Sequence, residues 1–185
     1  AIQAHLQKML VAGVITPCRD SAYNSPFFMI RKRDGVGWRF LTDLRKVNEQ
    51  SVDDRYLFKD FQECVDEIAA EKSSLFSVLD ICAGYYNVRL TDESMKKTAF
   101  TLPHNVHLED GKGKRLEARW MFRLMSMGLH GAGASFGKVM AYTLRGLPKL
   151  FSYLDDLLRH ARSHSEMLEA LDLIFSRLVQ YGFKI

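Results

Sequence analysis

The 185 residues suit one globular or lobed domain with a real core, and 47% apolar beside 26% charged residues is ordinary for a soluble chain. No run approaches the ~20 apolar residues of a membrane span and no N-terminal signal pattern is present, so no membrane partner is expected. The net charge of +4 says little by itself. Its distribution says more: residues 1–55 carry nine Lys and Arg against six Asp and Glu, residues 96–123 seven against three, and residues 56–95 three against eight. Two basic blocks flank an acidic one, which fits solvated surface and also fits a polyanion held beside a site that collects carboxylates. Cys18, Cys64 and Cys82 lack metal-ligand spacing and are expected as reduced core thiols of an intracellular protein. The chain opens at Ala1 rather than Met, so a piece of a longer polypeptide is expected.

In chain order, residues 2–12 place Ile2, Leu6, Met9 and Leu10 on one helical face, closed by Gly13. Phe27 to Arg33 and Trp38 to Leu44 read as strands around the turn segment 34–37. With that four-residue loop Lys32 faces Arg39, and like charges directly opposite destabilise a sheet unless an anion sits between them. Lys32 and Arg39 therefore suit a triphosphate clamp, or else a solvated hairpin tip. Residues 60–71 are expected as a helix with Asp60 as N-cap and Phe61, Val65, Ile68 and Ala69 inward.

Leu75 to Cys82 reads as a short apolar strand in which Asp80 ends the apolar run Phe76-Ser77-Val78-Leu79, and Val88 and Leu90 mark the next strand. Lys97 to Leu102 is expected to pair with Leu116 to Phe122 across a connection carrying Gly111 and Gly113. Residues 134–146 form a helix burying Phe136, Val139, Met140 and Leu144. Phe151 to Ala161 is a tight hairpin, and Ser163 with Glu166 is a capping box for a helix that runs to about Tyr181 and stops at Gly182. This order suggests an α+β domain around an antiparallel sheet.

The hairpin segment Tyr153-Leu154-Asp155-Asp156 carries two adjacent carboxylates between apolar runs. Side chains alternate along a strand, so one Asp would enter the core unless the pair sits at the turn. Asp is a common turn residue, yet no Gly or Asn accompanies the pair to supply positive φ. Two mutually repelling carboxylates ask for a cation. With Asp80 they make a hard-oxygen set suited to Mg2+, and two such ions ~4 Å apart serve in-line phosphoryl transfer.

Four blocks in order resemble the reverse transcriptases of retroviruses and LTR retrotransposons, the gypsy-like group above all. They are Ser25-Pro26 with 30–35, Trp38-Arg39-Phe40, Asp43, Arg45 and Asn48; Phe76 to Asp80 with Gly84-Tyr85; Lys97 to Phe100; and Met127-Gly128-Leu129 with Ala132, Ala134 and Phe136 leading to the YXDD motif at 153–156. The resemblance implies the fingers and palm of a right-hand polymerase, with an antiparallel palm sheet backed by helices and the thumb absent. Its fingers would be residues 1–55 (hairpin 27–44) and 91–130, and its palm residues 56–90 and 131–185.

It implies an RNA- and DNA-directed DNA polymerase. Asp80, Asp155, Asp156 and the Ile81 carbonyl would hold two Mg2+ ions, with Mn2+ as an alternative. Lys32, Arg39, Ile81, Tyr85, Met127 and Gly128 would meet the nucleotide, Tyr85 rejecting a ribose 2′-hydroxyl by bulk. The implied partners are a primed RNA or DNA template, a dNTP and the rest of a Pol polyprotein with thumb, RNase H and integrase. The implied setting is cytoplasmic, within retroelement particles. Phe183-Lys184-Ile185 is expected to open a further strand.

Departures from the family pattern are Ser126 and Gly133 where Pro is usual, Met127 where an aromatic or Gln is usual, Gly137 for Gln, and Arg159 for an apolar strand residue. They raise an alternative: a repurposed or decaying domain that binds nucleic acid without catalysis.

Overall fold

Capping residues and apolar periodicity set the elements, which follow in chain order as α1 (Ile2–Val11), β1 (Ile15–Pro17), β2 (Phe27–Arg31), β3 (Trp38–Thr42), α2 (Arg45–Asn48), α3 (Phe61–Ala70), β4 (Leu75–Asp80), a 3-10 turn (Gly84–Asn87), α4 (Asp92–Lys97), β5 (Phe100–Thr101), β6 (Arg119–Phe122), α5 (Ala132–Thr143), β7 (Leu150–Tyr153), β8 (Asp156–Ala161) and α6 (His164–Gln180). The computed structural model describes residues 2–31, 35–54 and 56–185. The chain divides into two compact units, 1–52 with 88–132 and 53–87 with 133–185. Helices and antiparallel sheets mix in both, as an α+β class requires. Among the described residues no helix is long and apolar enough to cross a membrane.

In the first unit, β6 is the centre of a three-stranded antiparallel sheet, pairing Phe122 with Ile15 of β1 and Trp120 with Phe100 of β5. Leu6 and Met9 of α1 are buried, and Gly13 takes φ +69, which lets the chain leave the helix sharply. Phe40, Phe100 and Phe122 form an aromatic core with centroid spacings of 5.2 Å and 5.7 Å. The β2–β3 hairpin differs from the sequence expectation. Its register sets Arg31 opposite Trp38 and Ile30 opposite Arg39, where the sequence predicts Lys32 opposite Arg39. The Arg31 guanidinium lies 5.5 Å from the centre of the Trp38 ring, a cation–π contact that favours this pairing.

Val88 and Leu90 form no strand. Their backbone groups instead meet the segment after β6, with Met125 N donating to Val88 O at 2.8 Å and Leu90 N to Arg123 O at 2.9 Å. Lys97 closes α4, which Thr91 caps by accepting from Ser94 N, rather than opening a strand.

The second unit is built on a three-stranded antiparallel sheet of order β4-β8-β7. Leu157 and Ala161 of β8 and Ile174 and Leu178 of α6 are fully buried, so one face of the sheet packs on α6. The other face presents Phe76 and Val78, exposed by 53% and 69%. Ser163 caps α6 by accepting from Glu166 N. The return bond of the expected capping box goes one residue further back, to Arg162 N at 2.9 Å. Asp60 caps α3 as expected, accepting from Gln62 N.

The inward face of α3 is not the expected one. Cys64 is buried and Ile68 half-buried, whereas Phe61, Val65 and Ala69 are exposed. Phe61 instead lines a groove of about 300 Å³ with Cys64, Val78 and Phe151. Cys82 is also exposed, unlike buried Cys18 and Cys64; all three thiols are free. Phe183 to Ile185 forms no strand, although Lys184 O accepts from Cys82 N at 2.8 Å.

Candidate active site

Strand β4 ends at Asp80, directly opposite Asp156, the first residue of β8, and both side chains lie on the exposed side of the sheet. The next backbone link crosses the same end, where Ile81 N donates to Asp155 O at 2.9 Å. The turn thus consists of Leu154 and Asp155, because Tyr153 and Asp156 form the last pair of the β7–β8 ladder. The expectation that both Asp residues occupy the turn is corrected by this register. Leu154 supplies the positive φ, +53, without being glycine. An L-residue there costs roughly 1–2 kcal/mol, so the surroundings must hold it.

Directly opposed like charges cost a sheet roughly 0.2–1 kcal/mol, and among the described residues Asp80, Asp155 and Asp156 form no ion pair. Nor, among the described residues, do three or more His, Cys, Asp or Glu side chains gather as a ready metal cluster. What this sheet end offers is two exposed, opposed carboxylates and a third at the adjoining turn. That donor set fits a hard cation which takes few protein oxygens and completes its shell with water and phosphate.

Ile81 is fully buried, which fixes the backbone beside Asp80. Tyr85 lies in the 3-10 turn that follows, its ring 5.4 Å from Phe136 of α5 in an edge-to-face contact. Its hydroxyl pKa is raised by burial first, then by the charges of Asp155 and Tyr153, so Tyr85 stays a neutral donor beside the turn. Gly84 packs tightly there: a Cβ on it would stand 3.0 Å from Phe136 Cζ and 3.3 Å from Asp155 Cβ. Any larger residue would press on the acidic turn.

The other sequence-derived residues belong to the first unit. Lys32 lies outside the described residues. Arg39 is exposed on β3 opposite Ile30, so the cross-strand argument for a Lys32–Arg39 clamp does not survive the register. Met127 is half-buried, and Gly128 adopts φ +98, a conformation that favours glycine. Asn48 Nδ2 donates to Gly128 O at 2.7 Å, and Asn48 Oδ1 accepts from His130 N at 2.9 Å. Asp43 grips Arg45 through two bonds, Nε to Oδ1 at 2.9 Å and Nη2 to Oδ2 at 2.6 Å, which hold the Asp43 pKa down at about 2.

Sequence reasoning missed a charge network on the second unit. Lys149 Nζ reaches Glu166 Oε1 at 2.8 Å and Glu71 Oε2 at 3.0 Å, and Arg162 also pairs with Glu71. Buried Arg159, the departure on β8, lies 3.6 Å from the same Glu166 oxygen and donates to Lys149 O at 3.3 Å. The bond from Lys149, then that from Arg162 N, pull the Glu166 pKa down to about 2. His160 is fully buried with Nδ1 2.8 Å from Ser73 Oγ, and burial lowers its pKa. Three basic residues at 149, 159 and 162 ahead of Glu166 were the available signal, but partners at 71 and 73 lie too far away in sequence to infer.

A family model described as reverse transcriptase (RNA-dependent DNA polymerase) matches residues 30–185. Two curated relatives from Drosophila melanogaster are similar over the whole chain: the retrovirus-related Pol polyprotein from transposon 297, 30% identical over 190 residues, and that from transposon 412, 26% identical over 191 residues. The chain spans 16% and 14% of their respective lengths. Among solved structures, the foamy viral protease-reverse transcriptase dRH in complex with double-stranded DNA matches 98% of this chain and 29% of its own, with a TM-score of 0.73 at 24% identity. The prototype foamy virus protease-reverse transcriptase CSH mutant matches 98% of this chain and 22% of its own, with a TM-score of 0.73 at 25% identity.

Proposed function

The chain belongs to the reverse transcriptase (RNA-dependent DNA polymerase) family, and from that premise we propose that it is the fingers and palm of an RNA- and DNA-directed DNA polymerase within a retroelement Pol polyprotein. The observation that carries this reading is the sheet end where Asp80 and Asp156 stand opposed and Asp155 closes the turn. The first unit is the fingers and the second the palm. The substrates are a primed RNA or DNA template and a dNTP, and the setting is a cytoplasmic retroelement particle.

In this reading Asp80, Asp155, Asp156 and the Ile81 carbonyl would hold two Mg2+ ions, with Mn2+ as an alternative. When bound, the ions supply Lewis-acid activation of the primer 3′-hydroxyl and neutralise charge on the leaving pyrophosphate. The protein's own contribution is positioning and fixed electrostatics. Tyr85 lies under the sugar and excludes a 2′-hydroxyl by bulk. Arg39, with Lys32, contributes positive charge toward the triphosphate, a role supported by residue type and family resemblance and independent of their mutual register. Met127 and Gly128 offer side chain and backbone to the nucleotide and template.

The test is Asp80→Asn in the natural polypeptide that carries this chain. Primer extension falls about 10³-fold or more. The unfolding temperature holds or rises, because one of two opposed charges is gone. Wild-type extension by the variant would refute the assignment, and so would collapse of the fold as the cause of lost activity.

A further inference from the structure

Helix α5 carries a glycine at position 137 where the family usually has Gln, and the structure shows what occupies the vacated space. Tyr56 and Phe58 lie over it, half-buried, while Leu57 between them is exposed by 91%. A Cβ on Gly137 would stand 2.7 Å from Tyr56 Cδ1 and Cε1 and 2.9 Å from Phe58 Cε1. Real Cβ atoms essentially never come so close, so Gly137 is the residue that lets both rings sit there. The two rings meet edge to face at 4.9 Å, and Phe58 continues onto Tyr153, with ring centres 5.2 Å apart. The segment is tied down on either side. Lys138 Nζ donates to both carboxylate oxygens of Asp54 at 2.7 Å, and Lys59 Nζ lies 4.1 Å from the centre of the Phe151 ring.

Tyr153 is the last β7 residue before the Leu154–Asp155 turn. Leu154 holds an unfavourable backbone conformation at φ +53, and such a turn keeps its shape only where neighbours define it. The turn also meets Gly84, where a Cβ would stand 3.3 Å from Asp155 Cβ. Contacts from two glycines therefore bracket the acidic turn, one directly at Asp155 and one relayed through two aromatic rings to Tyr153.

We propose that Gly137 with Tyr56 and Phe58 forms an aromatic seat that positions Tyr153, and through it the Asp155–Asp156 turn, for the chemical step. The proposal rests on the assignment of those carboxylates to catalysis. Gly137 and Phe58 are positioning residues, acting through Tyr153.

Alanine favours a helix over glycine, so without the seat Gly137→Ala would be neutral or stabilising. With the seat, the added methyl displaces the rings. In the natural polypeptide, Gly137→Ala lowers kcat for primer extension about tenfold, with the dNTP KM and primer–template affinity within about twofold. Gly137→Gln loses more. Tyr56→Ala, which removes one ring of the seat, lowers kcat in the same direction. Phe58→Leu, which adds no atoms and removes the ring contacts with Tyr56 and Tyr153, gives the same kcat loss and serves if Gly137→Ala fails to fold.

An unchanged kcat in Gly137→Ala overturns the seat, as does a Phe58→Leu variant with wild-type kcat. Asp155→Asn, run in parallel, separates the two levels. If it retains extension, the catalytic assignment itself fails; if it abolishes extension while Gly137→Ala and Phe58→Leu stay fully active, the seat alone fails.

Discussion

Asn48 holds the segment 128–130 with both ends of its amide, giving a hydrogen bond to Gly128 O at 2.7 Å and taking one from His130 N at 2.9 Å. Because Gly128 adopts φ +98, this stretch has little intrinsic preference for its shape and depends on the bracket. Asn48→Ala removes both bonds and costs about 1 kcal/mol or less of stability, since the site is exposed. If residues 127–128 meet the nucleotide, the dNTP KM rises about fivefold while kcat stays within about twofold. Steady-state primer extension with varied dNTP measures the split, and an unchanged KM would remove residues 127–128 from the nucleotide pocket.

Tyr85 packs edge to face on Phe136 and stays neutral because burial and the neighbouring Asp155 both raise its pKa. Tyr85→Ala therefore opens space without altering local charge. Discrimination between dNTP and rNTP falls by on the order of tenfold or more, whereas Tyr85→Phe keeps the bulk and keeps the discrimination. Competition between labelled rNTP and dNTP on one template measures both. Equal sugar selection by wild type and the Ala variant would show that Tyr85 does not contact the sugar.

The charge network around Lys149 sets an acid limit on the fold, and the signs of the two pKa shifts agree. Burial lowers the His160 pKa below its ordinary 6.5, so the stability it contributes is present above that value and is lost as pH falls below it. Glu166, lowered from 4.5 to about 2 chiefly by Lys149, contributes above pH 4.5 and loses its contribution as pH falls toward 2. The unfolding temperature therefore declines in two stages on acidification. Glu166→Gln flattens the lower stage and His160→Phe the upper one. Thermal melts from neutral to strongly acidic pH read this out, and a Glu166→Gln profile that coincides with wild type below pH 4.5 would exclude the network as its source.

The parts of the fold legible in the sequence were those governed by neighbours within one turn or one hairpin. Asp60 and Ser163 announce helix starts because capping is a contact of two or three residues, and Gly13 and Gly182 announce stops for the same reason. The β2–β3 register was not legible, because the contact of the Arg31 guanidinium with the Trp38 ring competes with loop length. The inward face of α3 was misjudged because Phe61 and Val65 satisfy an apolar period yet remain exposed. At the candidate site, the approach of Asp80 to the acidic hairpin followed from strand pairing. The residues occupying the turn did not, since Leu154 accepts a left-handed conformation that its side chain gives no reason to expect. Gly137 stood out only as a departure from Gln, and its partners at 56 and 58 lie some 80 positions earlier in the chain.

Each compact unit is assembled from two separated stretches, 1–52 with 88–132 and 53–87 with 133–185. During synthesis the ribosome must deliver residue 122 before the first unit has all its strands, because the central strand of its sheet, β6, comes late at Arg119–Phe122. Until then β1 and β5 lack their partner strand, while β2 and β3 can already pair, and strands left open are prone to association with other chains. Neither unit can be excised as one continuous piece. Dissecting them calls for circular permutation or for joining residue 52 directly to residue 88, with the intervening stretch supplied elsewhere.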